Sequence, residues 1–118
     1  MQPFDEKELL DRVDNDWEFL AETVEMLETD GRALMAEIRR AADAGDAPAL
    51  GRAGHTIKGM ISNFCSPATH ASALEVETIG KGGEVAEAQA AVKILESRLE
   101  ALIAGLNELL ATRARCAS

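Results

Sequence analysis

The chain has 118 residues, 47% of them hydrophobic, which is enough for one buried core and leaves little for a second domain. Ala, Leu and Glu dominate, Tyr is absent, and the aromatics are limited to Phe4, Trp17, Phe19 and Phe64, a composition that favours helices over sheets. With 21 acidic against 12 basic residues the formal net charge is −9, so phosphate backbones and anionic lipids are repelled, and neither nucleic acid nor membrane is expected as a partner. No apolar run approaches the roughly 20 residues that span a bilayer. The opening Met1-Gln2-Pro3-Phe4-Asp5-Glu6 has neither a basic region nor an apolar signal core, and the expected compartment is cytoplasmic.

Helix punctuation is legible in chain order. Asp5 is placed to cap a short opening helix with Leu9, Leu10 and Val13 on its apolar face. Asp14 and Asn15 then interrupt, and either is a candidate cap for a second helix carrying Trp17, Leu20, Val24 and Leu27. Thr29, Asp30 and Gly31 mark a further break, after which Leu34, Ile38 and Ala41 recur at helical spacing up to Gly45. Asp46 followed by Pro48 signals a new helix that closes near Cys65. Ser66-Pro67 starts another, expected from about Ala68 to Ile79 and ended by Gly80, Gly82 and Gly83.

The last segment, from Glu84 to about Ala111, carries the most sustained pattern. Val85, Ala88, Val92, Leu95, Leu99, Leu102, Leu106 and Leu109 form a seam at alternating spacings of four and three, and residues 112–118 are expected to fray. A dimeric coiled coil would explain this helix alone, but the glycine breaks elsewhere favour a compact bundle. Short connections turn successive helices antiparallel. The expected fold is all-α, an antiparallel four-helix bundle with one or two shorter N-terminal helices, forming one domain over residues 1–118 and a monomer.

The segment 49–64 holds the chemistry. Leu50, Ala53, Ile57, Met60 or Ile61, and Phe64 make an apolar stripe of helical period. Turning about 100° per residue places His55 roughly 160° from Ile57, on the solvent side. Arg52, His55, Lys58, Gly59 and Ser62 share that outer face. A neutral imidazole is a good nucleophile at physiological pH. A phosphoryl group on it would bear nearly two negative charges, which Lys58 one turn on, and Arg52 from the other side, can offset. Gly59 costs about 1 kcal/mol against Ala inside a helix, so its presence points to a need for open space beside His55; Gly59 and Ser62 are the expected positions of partner access. Singly, an exposed His, a Lys or a Gly is ordinary; the combination on one face is not.

The run Ala53-Gly54-His55-Thr56-Ile57-Lys58-Gly59, continuing through Asn63-Phe64, resembles the signature of histidine-containing phosphotransfer (HPt) domains of bacterial phosphorelays. Ala41-Ala42-Asp43-Ala44-Gly45-Asp46 with Leu50 resembles the family's approach to its histidine helix, and Leu74, Glu77 and Gly80 to Gly83 fall where a member finishes the next one. The resemblance implies a four-helix bundle in which His55 accepts a phosphoryl group from an aspartyl phosphate and passes it on. It makes Lys58 the phosphate-stabilising cation and Gly59 the residue giving a partner access. Gly54 stands where the family usually has Ala and is expected to loosen the helix before His55; Cys65-Ser66 replaces a small Gly-Ala pair.

The implied partners are response-regulator receiver domains or a hybrid sensor histidine kinase, with Mg²⁺ on the partner receiver and no cofactor on this chain. There is no P-loop or kinase glycine loop, so a phosphocarrier without ATP site or kinase activity is expected. Competing readings are a phosphorylation-independent helical adaptor and the phosphoacceptor domain of a larger histidine kinase. Cys65 and Cys116 are expected as free thiols, and the Cys65/His70 spacing matches no paired zinc-ligand motif, so no metal is expected. His70 reads as a surface or packing residue, Cys65 as a buried filler, and Trp17 as either core or docking surface.

Overall fold

A computed structural model describes residues 3–117, with side chains through Arg115; Cys116 lies outside the described side chains. Its elements are α1 (Glu6–Arg12), α2 (Trp17–Met26), a π-helical turn (Leu27–Gly31), α3 (Arg32–Ala44), α4 (Ala47–Ile61), a 3₁₀ turn (Ser62–Phe64), α5 (Pro67–Gly82), a second 3₁₀ turn (Val85–Glu87) and α6 (Ala88–Ala117). No strand occurs among the described residues. α4 packs on α3 and α5, and α6 packs on α3 and α5, so four helices close a ring around one core. This is the expected all-α bundle.

Most starts follow the capping residues. Asp5 accepts a hydrogen bond from the Glu8 N–H at 3.0 Å, and Asp46 accepts from the Ala49 N–H at 3.1 Å. The second helix is capped by neither Asp14 nor Asn15. Both take left-handed backbone, with φ of 56° and 57°, which short polar side chains tolerate. They turn the chain so that Asp16 accepts from the Phe19 N–H at 3.0 Å.

The break expected at Thr29-Asp30-Gly31 does not form. One π turn carries the helix from α2 into α3, and Gly31 keeps a helical φ of −64°. The reason is tertiary. Leu27 and Gly31 are both buried, and a Cβ on Gly31 would meet Leu27 and Leu99 at ordinary contact distances of 3.4 and 3.9 Å, so core packing holds the segment helical. Packing then outweighs a propensity penalty of about 1 kcal/mol. The seam of α6 is buried as read, from Ala88 through Leu109, with Val85 packed at its edge. α6 is helical through Ala117, and Arg113 lies over the Trp17 ring at 5.4 Å from its centroid. Trp17 therefore belongs to the packing between α2 and the end of α6.

Two glycines were assigned the wrong task by the sequence pattern. Gly80 does not end α5; it lies inside it, buried against α4. A Cβ there would collide with the Gly51 N and sit 2.5 Å from the Gly51 Cα. Gly54 does not loosen α4 but is buried, and its Cβ would lie 2.9 Å from the Glu77 N and 3.0 Å from the Glu77 Cα. The two helices thus touch backbone to backbone just behind His55. Ile61, fully buried, holds the core position that the stripe left open, and Met60 is only half-buried.

This crossing sets the first prediction. Gly80→Ala forces α4 and α5 apart and lowers stability by about 1–3 kcal/mol, as overpacking does. Gly59→Ala, where a Cβ would meet no atom within 4 Å, raises it by roughly 0.5–1 kcal/mol. Urea midpoints of the two variants and the wild type check both signs.

Candidate functional site

α4 begins at a capped Asp46 and carries Leu50, Ala53, Ile57 and Ile61 into the core, which turns Arg52, His55, Gly59 and Ser62 outward. The His55 side chain is 67% exposed, near the middle of the helix, as the stripe predicts. Its Nδ1 lies 2.9 Å from Oε2 of Glu77 on α5. An ionised carboxylate only accepts, so Nδ1 carries the proton and donates. Nε2, on the far edge of the ring, has no protein partner among the described residues and is left with its lone pair toward solvent.

Glu77 is the anchor of the site. Its side chain is 3% exposed, yet it meets three groups: His55, the Lys58 Nζ at 2.6 Å from Oε1, and the Lys81 Nζ at 2.8 Å from Oε2. Lys58 pairing, then Lys81 pairing, with a smaller part from His55, pull the carboxyl down to about 2 against the opposing effect of burial. Glu77 is therefore ionised throughout the physiological range. The lysines differ in setting: Lys58 is 23% exposed and Lys81 69%.

The remaining candidates divide. Gly59 is exposed, with open space around it. Ser62 is exposed and donates to the Gly59 carbonyl at 2.6 Å, while its own carbonyl accepts from Arg12 at 2.7 Å, which ties α1 to the end of α4. Arg52 lines an open depression with His55, Thr56 and Lys81, but it does not join the Glu77 cluster; its charge acts on Glu37 of α3. Glu77 and Lys81 are the two members that sequence reasoning did not assign. The available signal was a carboxylate at a buried position of α5, four residues before a lysine.

An apolar groove of about 300 Å³ opens next to this face, where α1, α2 and the end of α4 meet. Leu9, Val13, Phe19, Met26 and Met60 line it, and Phe19 and Met26 are half-exposed or more. His70 is half-buried at the start of α5, away from the Glu77 cluster. Cys65 is buried in left-handed backbone, and burial pushes its thiol up, away from the reactive thiolate. Among the described residues, no three His, Cys, Asp or Glu side chains group closely enough to hold a metal ion. No helix among them is long and apolar enough to cross a membrane.

A nucleophilic ring nitrogen facing solvent, its other nitrogen fixed by a buried carboxylate, with ammonium groups beside it, is suited to carry a phosphoryl group. A family model described as the Hpt domain matches residues 22–108, well over half of the chain, and the chain belongs to that family. Hpt domains perform histidine phosphotransfer in phosphorelays, interacting there with receiver domains and kinases. No curated protein and no solved structure gives a match.

The depressed Glu77 pKa fixes a pH dependence. Its folded value of about 2 lies below the ordinary 4.5, so the unfolded chain binds the proton more readily. The stabilisation is complete above about 4.5 and is lost as pH falls toward 2. Glu77→Gln removes that contribution, so its urea midpoint falls less steeply than the wild type's between pH 5 and 2 in a denaturation series.

Proposed function

We propose that His55 is the phosphoacceptor of this Hpt domain, taking a phosphoryl group from a receiver-domain aspartyl phosphate and returning it to another receiver. The observation that carries this reading is the solvent-facing Nε2 of an imidazole whose Nδ1–H is held by buried Glu77. The Nε2 lone pair attacks phosphorus in line; the bond from phosphorus to the aspartate oxygen breaks, and its electron pair leaves with the carboxylate. The ring, now bonded at both nitrogens, gains positive charge, which Glu77 offsets through the Nδ1–H. Return of the group to a second aspartate retraces these steps.

Lys58 supplies a charge-assisted hydrogen bond to the phosphoryl oxygens, and Arg52 adds long-range positive potential. Gly59 leaves the approach beside His55 open. Mg²⁺ belongs to the receiver, where it offsets charge on the acyl phosphate. The protein is a phosphocarrier in this reading, with donor and acceptor supplying the rest of the transfer site.

The receiver covers the apolar groove as it reaches His55. A standard interface takes about 800 Å² from each partner, a disc of roughly 16 Å radius. Met60, which lines the groove from the same helix, is only about 8 Å along the helix axis from His55 at 1.5 Å per residue. Phe19 and Met26 then serve as apolar anchors within a polar rim.

Incubation with a panel of phosphorylated receivers tests the reading. Wild type gains an acid-labile, base-stable phosphate detected by intact mass, and a folded His55→Gln variant gains none. Failure of every receiver to label natively folded wild type favours the phosphorylation-independent adaptor, and labelling only by a separate ATP-dependent kinase favours a kinase phosphoacceptor domain. Phe19→Glu tests the groove. It leaves the fold and His55 intact and slows transfer from a competent receiver by about tenfold or more, as loss of a buried aromatic anchor does; stopped-flow transfer at subsaturating receiver reads it.

A further inference from the structure

The Glu77 cluster holds more cation than the carboxylate needs. One buried negative charge is contacted by two ammonium groups, at 2.6 and 2.8 Å, and with a neutral imidazole the cluster carries one net positive charge. Lys58 is the smaller part of the surface and lies on the same helix as His55; Lys81 is mostly exposed and reaches the carboxylate from α5. Lys81 pairs with Oε2, the oxygen that also takes the His55 Nδ1–H, and Lys58 alone faces Oε1. If Lys58 were the sole counter-ion, a phosphoryl group on Nε2 would have to compete with a desolvated carboxylate for it. A buried carboxylate stripped of its partner is costly, so that competition would go against the phosphoryl group.

We propose that Lys81 is a positioning residue: by neutralising Glu77 from the α5 side it leaves the charge of Lys58 available to the phosphoryl group on His55. Lys58 has three N–H donors and can span Glu77 Oε1 and a phosphoryl oxygen at once, provided its charge is not wholly claimed by the carboxylate. Lys81 supplies that condition without touching the reacting atoms. The inference rests on His55 being the phosphorylated residue, and it is independent of which partner delivers the group.

The test loads His55 with phosphoramidate, which needs no partner: the donor P–N bond breaks, ammonia leaves, and phosphorus bonds to Nε2. The readouts are the ¹⁵N ammonium resonance of Lys58 and the lifetime of the phosphohistidine. In wild type and in Lys81→Arg the Lys58 resonance moves on loading. In Lys81→Gln it stays, and the lifetime shortens by about tenfold, the worth of one charge-assisted hydrogen bond. In the Glu77→Gln background the same Lys81→Gln change has no further effect on either readout, because no carboxylate remains to claim Lys58.

The high exposure of Lys81 means its replacement leaves the fold intact, which circular dichroism verifies. A Lys58 resonance that moves equally in Lys81→Gln, or equal losses in both backgrounds, overturns the inference. No adduct on His55 even with phosphoramidate overturns it together with the phosphoacceptor reading. Loading by phosphoramidate with the expected pattern, but by no receiver, leaves it standing and removes only the receiver as donor.

Discussion

A carboxylate that is all but removed from water must be surrounded by groups that replace its hydration, and Glu77 imposes that requirement on the whole of one helix crossing. Its three partners come from two helices: His55 and Lys58 from α4, Lys81 from its own α5. The contact lengths leave no slack, so α4 and α5 must approach closely and in one register. The requirement explains why the interface that carries the site is so poor in side-chain volume. Gly51 meets Gly80, and Gly54 meets the Glu77 backbone, so the two helices approach there without a Cβ on the α4 side. Substituting Gly54 or Gly80 would widen the crossing and, with it, the distance from Glu77 to the imidazole.

The same geometry serves chemistry. A ring hydrogen-bonded to a residue in the core does not need to be ordered when a partner arrives, so the orientation entropy is settled on folding. The tautomer is settled too, since an acceptor at Nδ1 places the proton there and leaves Nε2 with its lone pair. The surface around it is of two kinds. Cations gather at the end toward Lys81, and apolar side chains gather toward Phe19 and Met26, so the face is chemically graded along its length.

Much of this was legible in the sequence, and the failures have physical causes. The α6 seam, the capping by Asp5 and Asp46, and the outward turn of His55 follow from periodicity and local hydrogen bonding, which act within a few residues. Gly54 and Gly80 were misread because a glycine that makes room for another helix looks, along the chain, like one that breaks its own, and Gly31 because packing of a buried turn is invisible in local propensity. Glu77 and Lys81 stayed unassigned for the same reason: the link to His55 spans 22 residues and exists only once two helices have packed. The cap of α2 slipped by a residue or two because three consecutive Asx side chains are equivalent until the left-handed turn at Asp14 and Asn15 selects the third.

The π turn at Leu27–Gly31 divides the long helix into a half that builds the bundle and a half that lines the groove. A widened turn of this kind takes up one residue beyond an α turn, equivalent to about 100° of azimuth. The angular setting of Phe19 and Met26 relative to α3 is therefore decided by a single residue of chain length far from the histidine. The same turn sets which α2 side chains face inward, since Leu20 and Val24 are buried in the core while Phe19 and Met26 are turned outward. The groove and the Glu77 cluster are thus set by different features of the chain, the first by the phase of one helical turn and the second by the α4–α5 crossing.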